Sequence, residues 1–217
     1  MQPLTLLIIG AQTYAGMEVA RLGRAIGHRI IAVREGGAPP VDAPWVAGVQ
    51  WEDAAGLGPA REITHAPHAL IYCATTYFDD AEGRLERQNV ALLRGLIEAP
   101  GLAASRVVYR SAAPTPVVPS AYLESTRRAE ALLKDRHPDH VSLRLPLLYG
   151  SDRLDSVLGA AIVGLFASLH PTRFAPPMRV ETAAIALLRA ALEPEHRGVL
   201  HATEVATLGD ALYAQAR

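Results

Sequence analysis

The chain has 217 residues, half of them hydrophobic, with 21 basic against 22 acidic side chains and a formal net charge of -1. That apolar content and near-zero charge exclude a disordered chain, and the charge balance gives no electrostatic reason to bind nucleic acid. The single cysteine, Cys73, excludes an internal disulfide and argues against a cysteine-based zinc site.

The start of the chain has no basic stretch and no signal-cleavage pattern. The longest later apolar run, Val157 to Leu169, has 13 residues. A membrane-spanning helix needs about 20. The expectation is a soluble, cytoplasmic protein with no membrane span.

Leu4 to Ile9 is a nearly continuous apolar run, the pattern of a strand buried on both faces, and Gly10 ends it. Tyr14 to Ile26 has Val19, Leu22 and Ile26 at helical spacing, with Gly27 as a stop. Arg29 to Val33 reads as a second strand, Gly48 to Trp51 as a short third and Ala69 to Ala74 as a fourth. A helix over Leu85 to Ala99, a strand over Arg106 to Arg110, a helix over Tyr122 to Asp135 and a strand over Val141 to Leu145 follow. Strands alternating with helices predict a Rossmann-type, doubly wound α/β parallel sheet. Beyond Tyr149-Gly150 come two helices, Leu154 to Leu169 and Val180 to Leu192, a loop over Pro171 to Pro177, and a last strand over Gly198 to His201. Residues 151–217 are too few for an independent domain, so residues 1–217 form one domain with a small C-terminal helical cap.

The first turn reads Gly10-Ala11-Gln12-Thr13-Tyr14-Ala15-Gly16, between a strand and a helix. Glycine there lets the backbone approach a pyrophosphate, and the helix N-terminus presents N–H groups to it. The dinucleotide fingerprint asks for a small residue at three positions, and Thr13 stands at the middle one. Its hydroxyl could donate to a phosphate, or its bulk could obstruct one. The second strand ends in Arg34, followed by Glu35. An arginine at that place suits a 2′-phosphate, which favours NADP over NAD. The plain alternatives are a ligand-free strand–helix turn and a solvated arginine.

Later segments resemble the short-chain dehydrogenase/reductase superfamily, in its extended and atypical branches. They are Ile71-Tyr72-Cys73-Ala74-Thr75-Thr76, Asn89-Val90, Arg106 to Ser111, Tyr122 to Glu130, and Leu143-Arg144-Leu145-Pro146-Leu147-Leu148-Tyr149-Gly150. Their order along the chain is also that of the superfamily. The short length and compact tail are most similar to small NAD(P)-binding members, the NmrA-like proteins and the group related to the human Tat-interacting protein. The resemblance implies that Gly10, Gln12, Thr13, Tyr14 and Gly16 line the pyrophosphate turn and that Ala74 and Thr75 flank the nicotinamide ribose. It implies Tyr122 as proton donor and Ser111 as the hydroxyl that helps hold the reacting oxygen. In the superfamily a lysine one helical turn after the tyrosine lowers its pKa and grips the ribose. Here that position is Thr126, followed by Arg127 and Arg128 on other faces of the helix. A phenol with no neighbouring cation titrates near 10, which makes it a poor acid–base group at neutral pH.

Two histidine pairs, His65/His68 and His137/His140, have metal-compatible spacing, but each contains a proline and lacks further ligands, so no metal is expected. Cys73 reads as a buried structural thiol. Val157 to Leu169 reads as core, a pocket wall for an apolar small-molecule substrate, or a homodimer contact. The leading expectation is an NADPH-dependent oxidoreductase acting on a small apolar carbonyl or alcohol. The alternatives are a non-catalytic NADP(H)-binding regulatory module, and a non-redox isomerase or cyclase on the same fold.

Overall fold

The computed structural model describes residues 2–34, 39, 42–54, 67–75, 83–99, 101–102, 105–150 and 154–215, with backbone only for 154–156, 158 and 211–215. Glu35, His65 and Thr76 lie outside the described residues.

β1 (Thr5–Ile9) leads through the glycine turn into α1 (Tyr14–Ala25), then β2 (Arg29–Arg34). A 3-10 turn, Pro44–Gly48, opens β3 (Gln50–Asp53). The strand therefore begins two residues later than its apolar pattern indicates, because Pro44 starts a turn that consumes Gly48. β4 (Ala69–Tyr72) follows. The next helix begins as α2 (Arg84–Glu86), widens into a π-helical segment, Arg87–Ala91, and ends as α3 (Leu92–Ile97). β5 (Arg106–Ala112), α4 (Ser120–Arg136) and β6 (His140–Leu145) complete the alternation. β7 (Leu148–Tyr149), α5 (Leu154–Leu169), β8 (Met178–Arg179), α6 (Val180–Leu192), β9 (Gly198–Leu200) and α7 (Ala202–Gln215) close the chain.

Seven strands form one parallel sheet in the order β3-β2-β1-β4-β5-β6-β9. β4 and β5 are buried along their whole length, and β4 accordingly reads as an unbroken apolar run. On one face Val19, Ala20, Ala183, Leu187 and Ala191 pack against Leu6, Ile8, Ile71 and Val108. On the other, Leu93, Leu96, Ala129 and Leu133 pack against Leu7, Leu70, Val107 and Tyr109. The strand order reverses between β1 and β4, and in such open sheets ligands bind in the crevice outside the strand ends at that point.

The C-terminal segment is divided between layers. α6 contributes to the core on one face, and β9 pairs with β6 in the main sheet. Arg106, 4% exposed, fastens this segment: its guanidinium donates to the carbonyls of Ala190 (2.6 Å), Glu193 (3.3 Å) and His196, and to Asp139 (2.5 Å). The loop before β8 crosses toward the carboxyl end of β5, where Ala175 N–H donates to Pro114 O at 3.0 Å. The small β7–β8 sheet and α7 have no counterpart among the sequence-predicted elements. A two-residue strand has no periodicity to read, and α7 is rich in alanine with a weak apolar stripe.

Candidate functional site

Gly10 has φ +82°, a left-handed conformation that an L side chain adopts only at a cost. A Cβ there would lie 2.4 Å from the backbone nitrogen of Ala74, so the turn after β1 touches the end of β4. Gly16 is equally confined, since its Cβ would lie 2.3 Å from Gly10 O. Thr13 closes the turn: its hydroxyl donates to Gly10 O at 2.8 Å and accepts from Gly16 N–H at 3.1 Å. It is the N-cap of α1, a common use of threonine. The hydroxyl proton of Thr13 serves the backbone, and the Gly16 N–H is taken by Thr13.

A cleft of about 290 Å³ opens at the strand-order reversal. Its walls include Gly10, Gln12, Thr13, Arg34, Ala74 and Thr75, six residues singled out from sequence. Tyr14 and Gly16 lie off these walls. Tyr14 packs against the core on the α1 face, and Gly16 is buried in the first turn of α1. Gln88 and Leu92, on the widened helix, and Ala54, after β3, complete the cleft. No local motif marks them, because a π-helical segment is not visible in hydrophobic spacing. The glycine turn, the close backbone approach and Arg34 on the wall fit the adenosine and pyrophosphate portion of a dinucleotide. The Thr13 cap narrows the choice of donors there to the remaining N–H groups.

Tyr122 is fully buried near the start of α4, and its hydroxyl donates to Thr75 Oγ1 at 3.0 Å. Arg110 Nη1 donates to the same oxygen at 2.9 Å. Thr126 is also fully buried, and its hydroxyl donates to Leu123 O at 2.8 Å within its own helix. Asn89 Nδ2 donates to Ser125 Oγ (2.8 Å), whose hydroxyl donates to Tyr122 O (2.8 Å), fixing the start of α4 against the widened helix.

Ser111 lies in a different cluster. β5 runs on to Ala112, because Ser111 and Ala112 stay in register with Arg144 and Leu145 of β6. Ser111 is therefore a strand residue, one beyond the sequence-predicted strand end at Arg110, and is 1% exposed. Its hydroxyl donates to Glu130 Oε1 at 2.5 Å and accepts from Arg127 Nη1 at 3.0 Å. Arg127 and Arg144 hold the two Glu130 oxygens at 2.7 and 2.6 Å. Burial is the largest effect on Glu130 and would raise its pKa; the hydrogen bonds from Arg144 and Ser111 and the two guanidinium charges outweigh it and hold the carboxyl below the usual range. Thr75 joins Tyr122 and Arg110, whereas Ser111 is bound into the Glu130 cluster.

Cys73 is fully buried at the end of β4, and burial pushes its thiol up to about 12. His140 lies with Nδ1 2.6 Å from His137 O. Ile162, Leu165, Phe166 and Leu169 are exposed on α5, while Ala160, Val163 and Ala167 are buried. No helix among the described residues is long and apolar enough to cross a membrane.

The strand order, the glycine turn and the cleft at the reversal define a Rossmann-type α/β protein. Solved structures narrow the fold further. WbmH of Bordetella bronchiseptica, in complex with NAD+, is 17% identical, with a TM-score of 0.66 over 100% of this chain and 83% of that one. UDP-glucose 4-epimerase of Brucella ovis, in complex with NAD, is 19% identical, with a TM-score of 0.66 over 92% and 76%. Glucuronic acid dehydrogenase of Chromohalobacter salexigens is 13% identical, with a TM-score of 0.67 over 93% and 77%. No protein-family model and no curated protein matches the sequence. These likenesses show the fold: the chain has the Rossmann-type fold of these solved structures.

Proposed function

We propose that the chain binds a nicotinamide dinucleotide across the ends of β1 and β4 and acts as an oxidoreductase on a small, apolar carbonyl or alcohol. The observation that carries this reading is the cleft at the strand-order reversal, which gathers Gly10, Gln12, Thr13, Arg34, Ala74 and Thr75 on its walls. Ligand pockets run from about 300 to 1,000 Å³, so a cleft of about 290 Å³ would hold part of a dinucleotide, with Gly10, Gln12, Thr13, Arg34, Ala74 and Thr75 as the residues against it. The dinucleotide supplies or accepts a hydride when bound. Arg34 pairs with a 2′-phosphate, which makes NADP(H) the preferred form. The NAD held by WbmH and by the Brucella epimerase favours NAD(H) as the second choice.

Tyr122 is the acid–base group, its hydroxyl bonded to Thr75 of the cleft wall. It gives its phenolic proton to the substrate oxygen during reduction and takes one back during oxidation. Ser111 is assigned to the reacting oxygen by resemblance alone. Its bonds to Glu130 and Arg127 support a role in holding α4 against β5 instead. The apolar side chains exposed on α5 support an apolar substrate, or a second copy of the chain, near that helix.

A non-catalytic NADP(H)-binding module is the second reading. Thr126, with its hydroxyl turned onto its own helix, favours it. A non-redox isomerase or cyclase on the same fold is the third reading.

Titration of the purified protein with NADPH, NADH, NADP and NAD, followed by fluorescence or heat, tests the common ground. NADPH is expected to bind most tightly. Arg34→Ala should weaken NADPH by about 10-fold or more, as loss of a charge-assisted hydrogen bond of ~1.5–3 kcal/mol requires, and leave NADH unchanged. Absence of binding by all four would refute the dinucleotide reading. With binding established, substrate-dependent NADPH oxidation separates the reductase from the module, and product formed without net nicotinamide turnover identifies the isomerase.

A further inference from the structure

The proposed chemistry needs a positive charge near the Tyr122 hydroxyl, and the position one helical turn along α4 holds Thr126, a neutral residue bonded to Leu123 O. Another cation, from a different element, is bonded to the oxygen that this hydroxyl touches. Arg110 is the fifth residue of β5, in a strand buried throughout, and is itself 6% exposed. Nη1 of Arg110 donates to Thr75 Oγ1 at 2.9 Å, and the Tyr122 hydroxyl donates to the same oxygen at 3.0 Å. Thr75, 6% exposed, lies between them and forms part of the cleft wall.

The chemistry of these three groups gives the chain a direction. A guanidinium only donates, whereas a threonine hydroxyl both donates and accepts. With Tyr122 neutral, Thr75 accepts from both neighbours. When Tyr122 loses its proton, the Thr75 hydroxyl rotates and donates to the phenolate oxygen, while Arg110 continues to donate to Thr75. The guanidinium charge is thus transmitted to the phenolate through one polarised hydroxyl, in a site where low dielectric strengthens each bond. The phenolic proton passes to the substrate oxygen in the reaction, or to water in a titration.

We propose that Arg110, acting through Thr75, is a positioning residue that stabilises the Tyr122 phenolate and takes the electrostatic part played elsewhere by a lysine on the tyrosine's own helix. This rests on the reading of Tyr122 as the acid–base group. Other groups act in the same neighbourhood. Tyr109 of β5, between Tyr72 of β4 and Tyr122, is a neighbouring phenol. Glu130 of α4 also acts on Tyr109, and its charge is countered by Arg127 and by Arg144 of β6. Arg110 differs from Arg127 and Arg144 in being hydrogen-bonded to the oxygen that Tyr122 touches.

The test follows Tyr122 itself. Full-length protein carrying ¹³Cζ-tyrosine has seven tyrosine signals, and the one missing in Tyr122→Phe is assigned to Tyr122. Its shift is followed against pH in the wild type, Arg110→Met, Arg110→Lys and Thr75→Val. An opposite charge within ~4–6 Å moves a pKa by about 1–3 units. The Tyr122 midpoint should therefore rise by about one unit in Arg110→Met and in Thr75→Val, and return most of the way in Arg110→Lys. Should Arg110→Met fail to fold, Thr75→Val keeps the guanidinium and removes only the link. An unchanged midpoint in Thr75→Val, or a wild-type Tyr122 that does not titrate below pH 12, would overturn the proposal. NADPH titration of the wild type is read separately, so failure of the cofactor reading is distinguishable from failure of the Arg110 relay.

Discussion

Substituting Gly10 by alanine separates two physical effects that the turn combines. Gly10 has φ +82°, and its Cβ would meet the Ala74 nitrogen at 2.4 Å and the Ala74 Cα at 2.5 Å. Gly27, at φ +93°, shares the conformation, but its Cβ would meet nothing within 4 Å. A left-handed L residue costs about 1–2 kcal/mol. Overpacking against a structure that cannot yield adds about 1–3 kcal/mol. The obstacle at Gly10 is the backbone of Ala74, two residues beyond β4, and β4 is paired on both sides, so relief requires the ends of β1 and β4 to part. Gly27→Ala should therefore lose about 1–2 kcal/mol and Gly10→Ala about 2–5 kcal/mol. Urea unfolding of both variants and the wild type measures the difference. Gly10→Ala should also lose dinucleotide binding, while Gly27→Ala retains it. Equal losses of stability in the two variants would refute the close approach of the β1 turn to β4.

Glu130→Gln leaves Arg127 and Arg144 without their shared carboxylate and should destabilise by about 3 kcal/mol at pH 7, by urea unfolding. The native Glu130 carboxyl is held below its unfolded value of about 4.3, so its contribution is complete above that pH and is lost as pH falls through the lower native value. Wild-type stability should accordingly fall more steeply than that of Glu130→Gln below about pH 5. Cys73, buried and with its thiol pushed up to about 12, should react with a disulfide reagent at pH 8 only after unfolding; rapid labelling of the native protein would show that β4 opens at its end. Arg106→Met should cost about 3–5 kcal/mol, since three carbonyls and Asp139 lose a buried charged donor, and hydrogen exchange should quicken first in β9 and the end of α6.

The parallel sheet and the glycine turn were legible because both are local. A strand buried on two faces must be apolar at every position, as Leu6 to Ile9 and Ala69 to Tyr72 are. A strand that feeds a helix through a tight turn needs a residue such as Gly10. Local reading marked Gly10, Thr13 and Arg34, the resemblance added Gln12, Ala74 and Thr75, and the cleft collects all six. Local reading had no access to partners. Thr13 looked like a phosphate donor or an obstruction and became the cap of its own helix. Ser111, given by resemblance as a hydroxyl for the reacting oxygen, lies in β5 beside β6 and donates to Glu130. Arg110 stands between Tyr109 and Ser111 of β5, and a buried charge in a strand requires a partner. Which partner depended on Thr75, 35 residues earlier, and on Tyr122, 47 residues beyond Thr75. Hydrophobic periodicity records which face of each element is buried, so the amino-acid order alone determined the layers and the turn. The packing of separate elements decided which polar groups meet, because a hydrogen bond depends on distances of about 3 Å that no spacing along the chain encodes.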